Sequence, residues 1–290
     1  MTPGVVIVNR RAGGGGPLPV ARIHRAIGHL GRIPPIIATR TTGEARAIID
    51  EVAARRGELV AIAGGDGSVN LAINALAGAD IPMAVIPLGT ANDLATALEK
   101  RQPARRRIDL VRVNGVRFCT TGGLGIAADI ALRIHRGRRG PGRRVLGTSI
   151  YALAAAEHTL FARICPRRVR IDYRGQKSAA RTIAGEVHGV LVSNQATLAG
   201  SLTVCPRADH ADGVFEIGLL HARGRLSLVA MLLRMRAGLP VPQSHLTIVR
   251  ATEAHIESDS EGWFFGDGEP LVRHRQFALT IEPGALEVTC

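Results

Sequence analysis

Apolar residues follow two rhythms along this chain, and the change falls before its middle. In the first part, short unbroken apolar runs alternate with stretches of helical spacing. Val5 to Asn9 (VVIVN), Pro35 to Thr39 (PIIAT), Glu58 to Ala63 (ELVAIA) and Met83 to Pro87 (MAVIP) predict buried strands. Leu18 to Leu30, Thr42 to Arg56, Ser68 to Leu76 and Ala91 to Leu98 predict the helices between them. Thr42 is the expected cap of the second helix, with Glu44 one residue early for a capping box. Strands alternating with helices predict a parallel sheet covered on both faces, with ligands bound beyond the carboxyl ends of its strands.

The second rhythm is strand-rich. Arg107 to Val113 and Val116 to Thr121 flank Asn114-Gly115, a hairpin signal. After a helical stretch at Tyr151 to Arg163 come short β-rich runs: Arg167 to Tyr173, Gly185 to Ser193, Gly213 to Leu220, Ser244 to Val249, His255 to Ser258, Phe277 to Ile281 and Ala285 to Val288. They predict a sandwich or barrel, with the domain boundary near residues 115 to 125 and a final strand able to return to the first domain. Leu226 to Leu239 is the helical exception, with a broad apolar face and Arg234 and Arg236 at one end. Such a helix suits either a packed core or a membrane interface.

Composition narrows the partners. The chain has 290 residues, 46% hydrophobic, which argues for a packed core and against disorder. Aromatics make up 3%, too few for base-stacking platforms. No apolar run reaches the roughly 18 residues a membrane span needs, and MTPGVVIVNRR lacks a signal-peptide layout. Cys119, Cys165, Cys205 and Cys290 are scattered, as reduced packing residues of a cytoplasmic protein would be. The net charge of +13 concentrates in Arg101 to Arg107, Arg133 to Arg144 and Arg163 to Arg174. These patches are either a solvated basic face or a surface for anions; without a nucleic-acid motif beside them, anionic lipid head groups are expected over nucleic acid.

Chemistry concentrates in two glycine turns. GGDGSVN, Gly64 to Asn70, follows a strand and opens a helix. Gly64, Gly65 and Gly67 would allow positive φ and let backbone amides approach an anion, aided by the helix N-terminus. Asp66 is repulsive there unless it meets Mg²⁺ or makes a structural hydrogen bond into the loop. PLGTANDLA, Pro87 to Ala95, repeats the arrangement, with Gly89 turning the chain, Thr90 offering a hydroxyl and Asn92 and Asp93 at the first turn. Two anion-competent strand ends on one sheet suggest a bound nucleotide. The Gly-Lys-Ser/Thr ending of a Walker A loop is absent, and Gly13 to Gly16 is too repetitive to read as a dinucleotide fingerprint.

GGDGSVN, PLGTANDLA and a late GDGEP (Gly266 to Pro270) together resemble the diacylglycerol kinase catalytic family, which includes bacterial lipid kinases and the sphingosine and ceramide kinases. Asn9, the Thr41, Thr42, Gly43 and Ala45 segment and Gly122 to Ile126 (GGLGI) extend the similarity over nearly the whole chain. The resemblance implies an α/β ATP-binding domain at residues 1–120 and a β-sandwich lipid-substrate domain at 121–290, with the active site in the interdomain cleft. It implies ATP and Mg²⁺ as cofactors. Asn9, Thr41 or Thr42, Gly64, Gly65, Asp66, Gly67, Ser68, Asn70, Gly89 and Thr90 would bind nucleotide, with Asp93 supporting the site. Asp267 or Glu269 would act as the base, with Asp66 among the catalytic acids. In CPRADHADG, Asp212, then Asp209, and the Val214 carbonyl would form a Mg²⁺ network, although Ala211 stands where the family often has an acid.

Arg10-Arg11 replace the family's proline and its neighbour, and Ala127 replaces an acid at the junction strand. The expected activity is phosphorylation of a lipid hydroxyl, diacylglycerol first, by a cytoplasmic protein that associates peripherally with membrane. A homodimer is left open. NAD kinase, which shares the GGDG loop, and a weakly catalytic lipid- or nucleotide-binding regulator are the competing readings.

Overall fold

The computed structural model describes residues 4–10, 20–28, 34–89, 92–99, 105–137, 165–176, 178–199 and 202–289. The chain divides into two compact units: Met1–Ile108 with Gly284–Cys290, and Asp109–Pro283.

The first unit is built on parallel strands β1 (Val5–Asn9), β2 (Ile36–Thr39), β3 (Val60–Gly64) and β4 (Met83–Pro87), in the order β2-β1-β3-β4. The closing residues of the last strand, β16 (Glu269–Thr289), run parallel beside β4, with Val288 opposite Met83. Helices α1 (Val20–Ile27), α2 (Thr42–Ala54), α3 (Asp66–Leu76) and α4 (Asp93–Glu99) connect the strands. Val6 and Val8 of β1, Ala61 and Ala63 of β3, and Ala84 and Ile86 of β4 share a core with Ile23 and Ile27 of α1. β1, β3 and β4 are buried almost throughout, which is why they read as continuous apolar runs and not as alternating ones. The chain steps from β1 to β2 on one side and then crosses back to β3, so strand order reverses between β1 and β3. Such a reversal opens a crevice at the carboxyl ends of the strands.

Two helix starts differ from expectation. The cap of α2 is Thr41, not Thr42: its side chain accepts from the Glu44 amide at 3.1 Å, and Glu44 in turn accepts from the Arg40 amide at 2.7 Å. One residue earlier, the Thr-to-Glu spacing is that of a capping box. Helix α3 begins at Asp66, with Gly65 as N-cap, two residues before the expected Ser68. An acid in the first turn complements the helix dipole and favours the early start.

The second unit is mainly antiparallel. Its strands are β5 (Arg106–Val113), β6 (Val116–Phe118), β7 (Thr121–Gly125), β8 (Arg167–Arg174), β9 (Arg181–Val187), β10 (Gly189–Ser193), a small pair β11 (Thr197–Leu198) and β12 (Leu202–Thr203), β13 (Phe215–Leu220), β14 (Leu246–Ala251) and β15 (Glu253–Gly266). One path runs β14-β13-β10-β7-β15-β16; β8 pairs with β15 and β9, and β5 with β6. The inner faces enclose a core centred on Phe118, Phe264 and Phe277, with ring centroids 5.8 and 5.4 Å apart. The opposite face, at Leu191 and Leu220, packs with residues of α5 (Ile126–Gly137) and α6 (Arg225–Arg236).

The expected Gly185 to Ser193 run divides at His188 into β9 and β10. His255 to Ser258 is the middle of a 14-residue strand, and the runs at 277–281 and 285–288 are one 21-residue strand. Gly284, at φ +58°, lies where that strand passes from the second unit to the first. Gly13 to Gly16, Arg11, Arg101 to Ala104, residues 138–164 with the Tyr151 to Arg163 stretch, and Cys290 lie outside the described residues.

Candidate active site

In the first unit, the carboxyl ends of β1, β3 and β4 meet at the strand-order reversal. Asn9 closes β1 and donates from Nδ2 to Ser68 Oγ at 2.9 Å, which ties that strand end to the first turn of α3. Ser68 and Val69 both donate their amides back to the Gly65 carbonyl. The first-turn amides of a helix have no carbonyl one turn earlier to bond to, so this end of α3 suits an anion.

The glycines serve proximity and not positive φ. Among the described residues, Gly64, Gly65, Gly67 and Gly89 are absent from the left-handed region, and Gly65 is extended at φ −102°. A Cβ on Gly64 would stand 2.6 Å from that of Ser68. A Cβ on Gly89 would stand 2.5 Å from the Gly65 Cα and 2.8 Å from Asn92 Oδ1. The two glycine turns therefore lie backbone against backbone, a contact no side chain would permit.

Asp66 locks them together. Its Oδ1 accepts from the Asp93 amide at 2.9 Å and its Oδ2 from the Asn92 amide at 3.2 Å. The carboxylate of one motif thus caps the helix that opens the other, which realises the hydrogen-bonding alternative for Asp66. Asn92, at φ +50°, completes the lock: its Oδ1 accepts from the Gly89 amide at 2.8 Å and its Nδ2 donates to the Gly89 carbonyl at 2.9 Å. Asp93 is buried at the start of α4. Thr41 and Thr42 are exposed at the start of α2, and Asn70 accepts from Asn74 Nδ2 through its carbonyl and Oδ1. Thr90 lies outside the described residues.

In the second unit, Asp267-Gly268 is the two-residue turn between β15 and β16, with φ of +52° and +75° and Gly266 paired to Glu269. Positive φ at both positions is the mark of the tight hairpin turns that favour Asp-Gly. Asp267 is 3% exposed. Its carboxylate accepts from the amides of Cys119 (3.1 Å) and Thr120 (2.8 Å) and from the Thr120 hydroxyl (2.7 Å). A carboxylate held by this many donors anchors the hairpin and is poorly placed to take a proton from a substrate. Glu269 differs. It is partly exposed, and its Oε2 stands 2.7 Å from Nδ1 of His135, on the last turns of α5.

Residues 3–120 match the family model of the diacylglycerol kinase catalytic domain, and residues 124–290 match that of the YegS C-terminal NAD kinase beta sandwich-like domain. The chain belongs to the diacylglycerol-kinase-like lipid kinases. Over 265 residues, 84% of this chain and 81% of the relative, it is 28% identical to the diacylglycerol kinase of Mycobacterium tuberculosis. It is also 28% identical to a probable lipid kinase YegS-like of Pseudomonas aeruginosa, over 89% of this chain and 85% of that one. In fold it is similar to the crystal structure of a putative diacylglycerol kinase from Bacillus anthracis, with a TM-score of 0.79 at 21% identity, covering 99% of this chain and 96% of that one.

At the expected cation set of this lipid kinase, Asp209, Asp212 and Val214, both carboxylates already have partners within the protein. Asp212 Oδ2 is engaged by Arg250 Nη2, and its Oδ1 accepts from the Val214 amide at 3.2 Å. Asp209 Oδ1 accepts from the Ala211 amide at 3.1 Å. Among the described residues, no group of three or more His, Cys, Asp or Glu is placed to hold a metal ion. Arg250 Nε also lies 3.8 Å from buried Glu216, so a guanidinium supplies the positive charge at this acidic loop. Burial is the largest cause raising the carboxyl of Asp212, with Asp209 and Asp109 adding to it and the Val214 amide and Arg250 opposing. Burial likewise raises Glu216, against Arg250.

Sequence reasoning missed three residues of the candidate site. His135 sits in an Arg-rich stretch with no motif to mark its imidazole. Arg250 is 38 residues from Asp212 with no motif around it. Asn92 was read only as a first-turn residue, although its left-handed φ and its position after a glycine turn are signals that favour Asn.

Proposed function

We propose that this lipid kinase transfers the γ-phosphoryl group of ATP to a lipid hydroxyl, with diacylglycerol the first acceptor to test. The observation that carries the reading is the locked pair of glycine turns at the strand-order reversal, where Gly65 packs on Gly89 and Asp66 fixes both helix starts. That arrangement presents main-chain amides to a polyphosphate without a lysine-bearing loop. Asn9 and Ser68 border it from β1 and α3.

The acceptor side is assigned to Glu269. Asp267 is 3% exposed and anchors the hairpin through its hydrogen bonds, whereas Glu269 is partly exposed beside His135. The acceptor oxygen forms a bond to the γ-phosphorus, the bond to the bridging oxygen of ADP breaks, and the hydroxyl proton passes to Glu269. His135 holds Oε2 and fixes the carboxylate's orientation. A divalent cation arriving with the triphosphate would spread its charge.

The test is γ-labelled MgATP with diacylglycerol, sphingoid base, ceramide and phosphatidylglycerol in mixed micelles, with NAD in a parallel reaction and Asp66→Ala as control. Label in a lipid, lost in the control, supports the reading. Label in NADP would establish the NAD kinase reading, kept because the matched C-terminal domain is described as NAD-kinase-like. Nucleotide-induced thermal stabilisation with no transfer to any acceptor would make the chain a regulator.

A further inference from the structure

One stretch of the second unit carries no acid: from Ile217 to Thr252 there is neither Asp nor Glu. Helix α6 lies within it. Its inner stripe, Leu228, Met231 and Met235, is buried. Its outer side repeats at Leu226, Ala230, Leu233 and Ala237, the spacing of a single helix face. Leu226 is 85% exposed and Leu233 64%, and Leu239, just beyond the helix, is 52% exposed. Of the six large apolar side chains exposed among the described residues, these are the three most exposed.

The charges around this stripe are unlike those elsewhere. On β8, Arg168, Arg170 and Arg174 pair with Glu186, Asp172 and Glu253. That expected patch is a network of exposed ion pairs and presents little net charge. Arg223, Arg234 and Arg236 have no carboxylate partner among the described residues; Arg234 Nε donates instead to the Pro240 carbonyl at 2.8 Å.

We propose that α6 docks this lipid kinase onto an anionic bilayer surface, with Leu226 and Leu233 entering the interface and Arg234 and Arg236 meeting head-group phosphates. A leucine ridge flanked by cations suits a surface that is apolar beneath and negative above. A second copy docking through the same stripe would bring this acid-free surface against itself. The inference deepens the lipid-acceptor reading, but its test requires neither nucleotide nor turnover.

The full chain is sedimented with vesicles of phosphatidylcholine, with or without roughly one-third phosphatidylglycerol. Binding is expected only with the anionic lipid. Leu226→Ser with Leu233→Ser should lower the partition coefficient by at least roughly tenfold, and Arg234→Gln with Arg236→Gln by roughly fivefold per charge. Leu233→Phe should tighten binding to the anionic vesicles while its melting temperature and its sedimentation without vesicles match wild type. The proposal falls if the leucine pair binds like wild type, if both vesicle types bind equally, or if Leu233→Phe weakens binding. It also falls if the wild-type chain is a dimer that the leucine pair converts to monomer without altering vesicle binding. Docking without phosphoryl transfer to any lipid would remove the kinase chemistry and leave the surface standing; transfer to a micellar acceptor without docking would do the reverse.

Discussion

Replacing Asp267 by Asn should unfold the second unit more easily without altering the shape of the turn. Asn is at least as comfortable as Asp at φ +52°, so backbone strain does not enter. The hydrogen bonds do. The carboxylate accepts from two amides and one hydroxyl at 2.7 to 3.1 Å, in a position 3% exposed. All three reach Oδ1, so an amide oxygen there keeps them, while its NH₂ takes the place of Oδ2, which the Cys119 amide also meets at 3.2 Å. Three charge-assisted bonds become neutral ones and the Cys119 amide faces an NH₂, at about 1–3 kcal/mol together. That corresponds to roughly 2–12 °C in melting temperature for a unit of this size. The lone tryptophan, Trp263, lies on β15 four residues before Asp267, so its fluorescence reports unfolding of the affected unit. A variant melting within about 1 °C of wild type would refute the anchoring role and return Asp267 to the candidates for the base.

Three further predictions concern the site and its surroundings. Gly89→Ala forces a Cβ to within 2.5 Å of the Gly65 backbone, whereas Gly65→Ala meets Gly89 at 3.1 Å; nucleotide affinity by calorimetry should fall at least roughly tenfold for Gly89→Ala and less for Gly65→Ala. His135→Ala should lower kcat while leaving KM for ATP unchanged, and His135→Asn, whose amide nitrogen can stand where Nδ1 stands, should restore much of the rate. Arg250→Gln should destabilise the chain by about 1–2 kcal/mol at neutral pH, less than for a fully buried pair because Arg250 is half exposed. Asp212 and Glu216 have raised folded-state values, so what they contribute is present below the ordinary carboxylate range and lost as pH rises through the raised values. Arg250 offsets that loss, so urea titrations should show the variant's deficit growing from pH 5 to pH 8.

The alternating half of the fold was legible because buried parallel strands cannot alternate: VVIVN and MAVIP admit little other reading. The Asn114-Gly115 hairpin was legible because its turn chemistry is local, with φ of +45° and +91°. Strand lengths at the C-terminal end were not, since Pro283 and Gly284 look like a break where the chain only bends. At the site, the motifs were visible but their division of labour was not. Asp66 satisfies amides 26 and 27 residues away, Asp267 satisfies donors about 147 residues away, and Arg250 on β14 reaches Asp212 in the loop before β13. A single sequence records which groups are present; only the fold says which have already spent their hydrogen bonds on one another.

The most direct test of the account is Glu269→Gln, measured for ATP affinity and for turnover with diacylglycerol in the same preparation. Nucleotide binding and melting temperature should match wild type while kcat falls about 10²- to 10⁴-fold. Turnover at the wild-type rate would contradict the assignment of Glu269 as the group that takes the acceptor's proton.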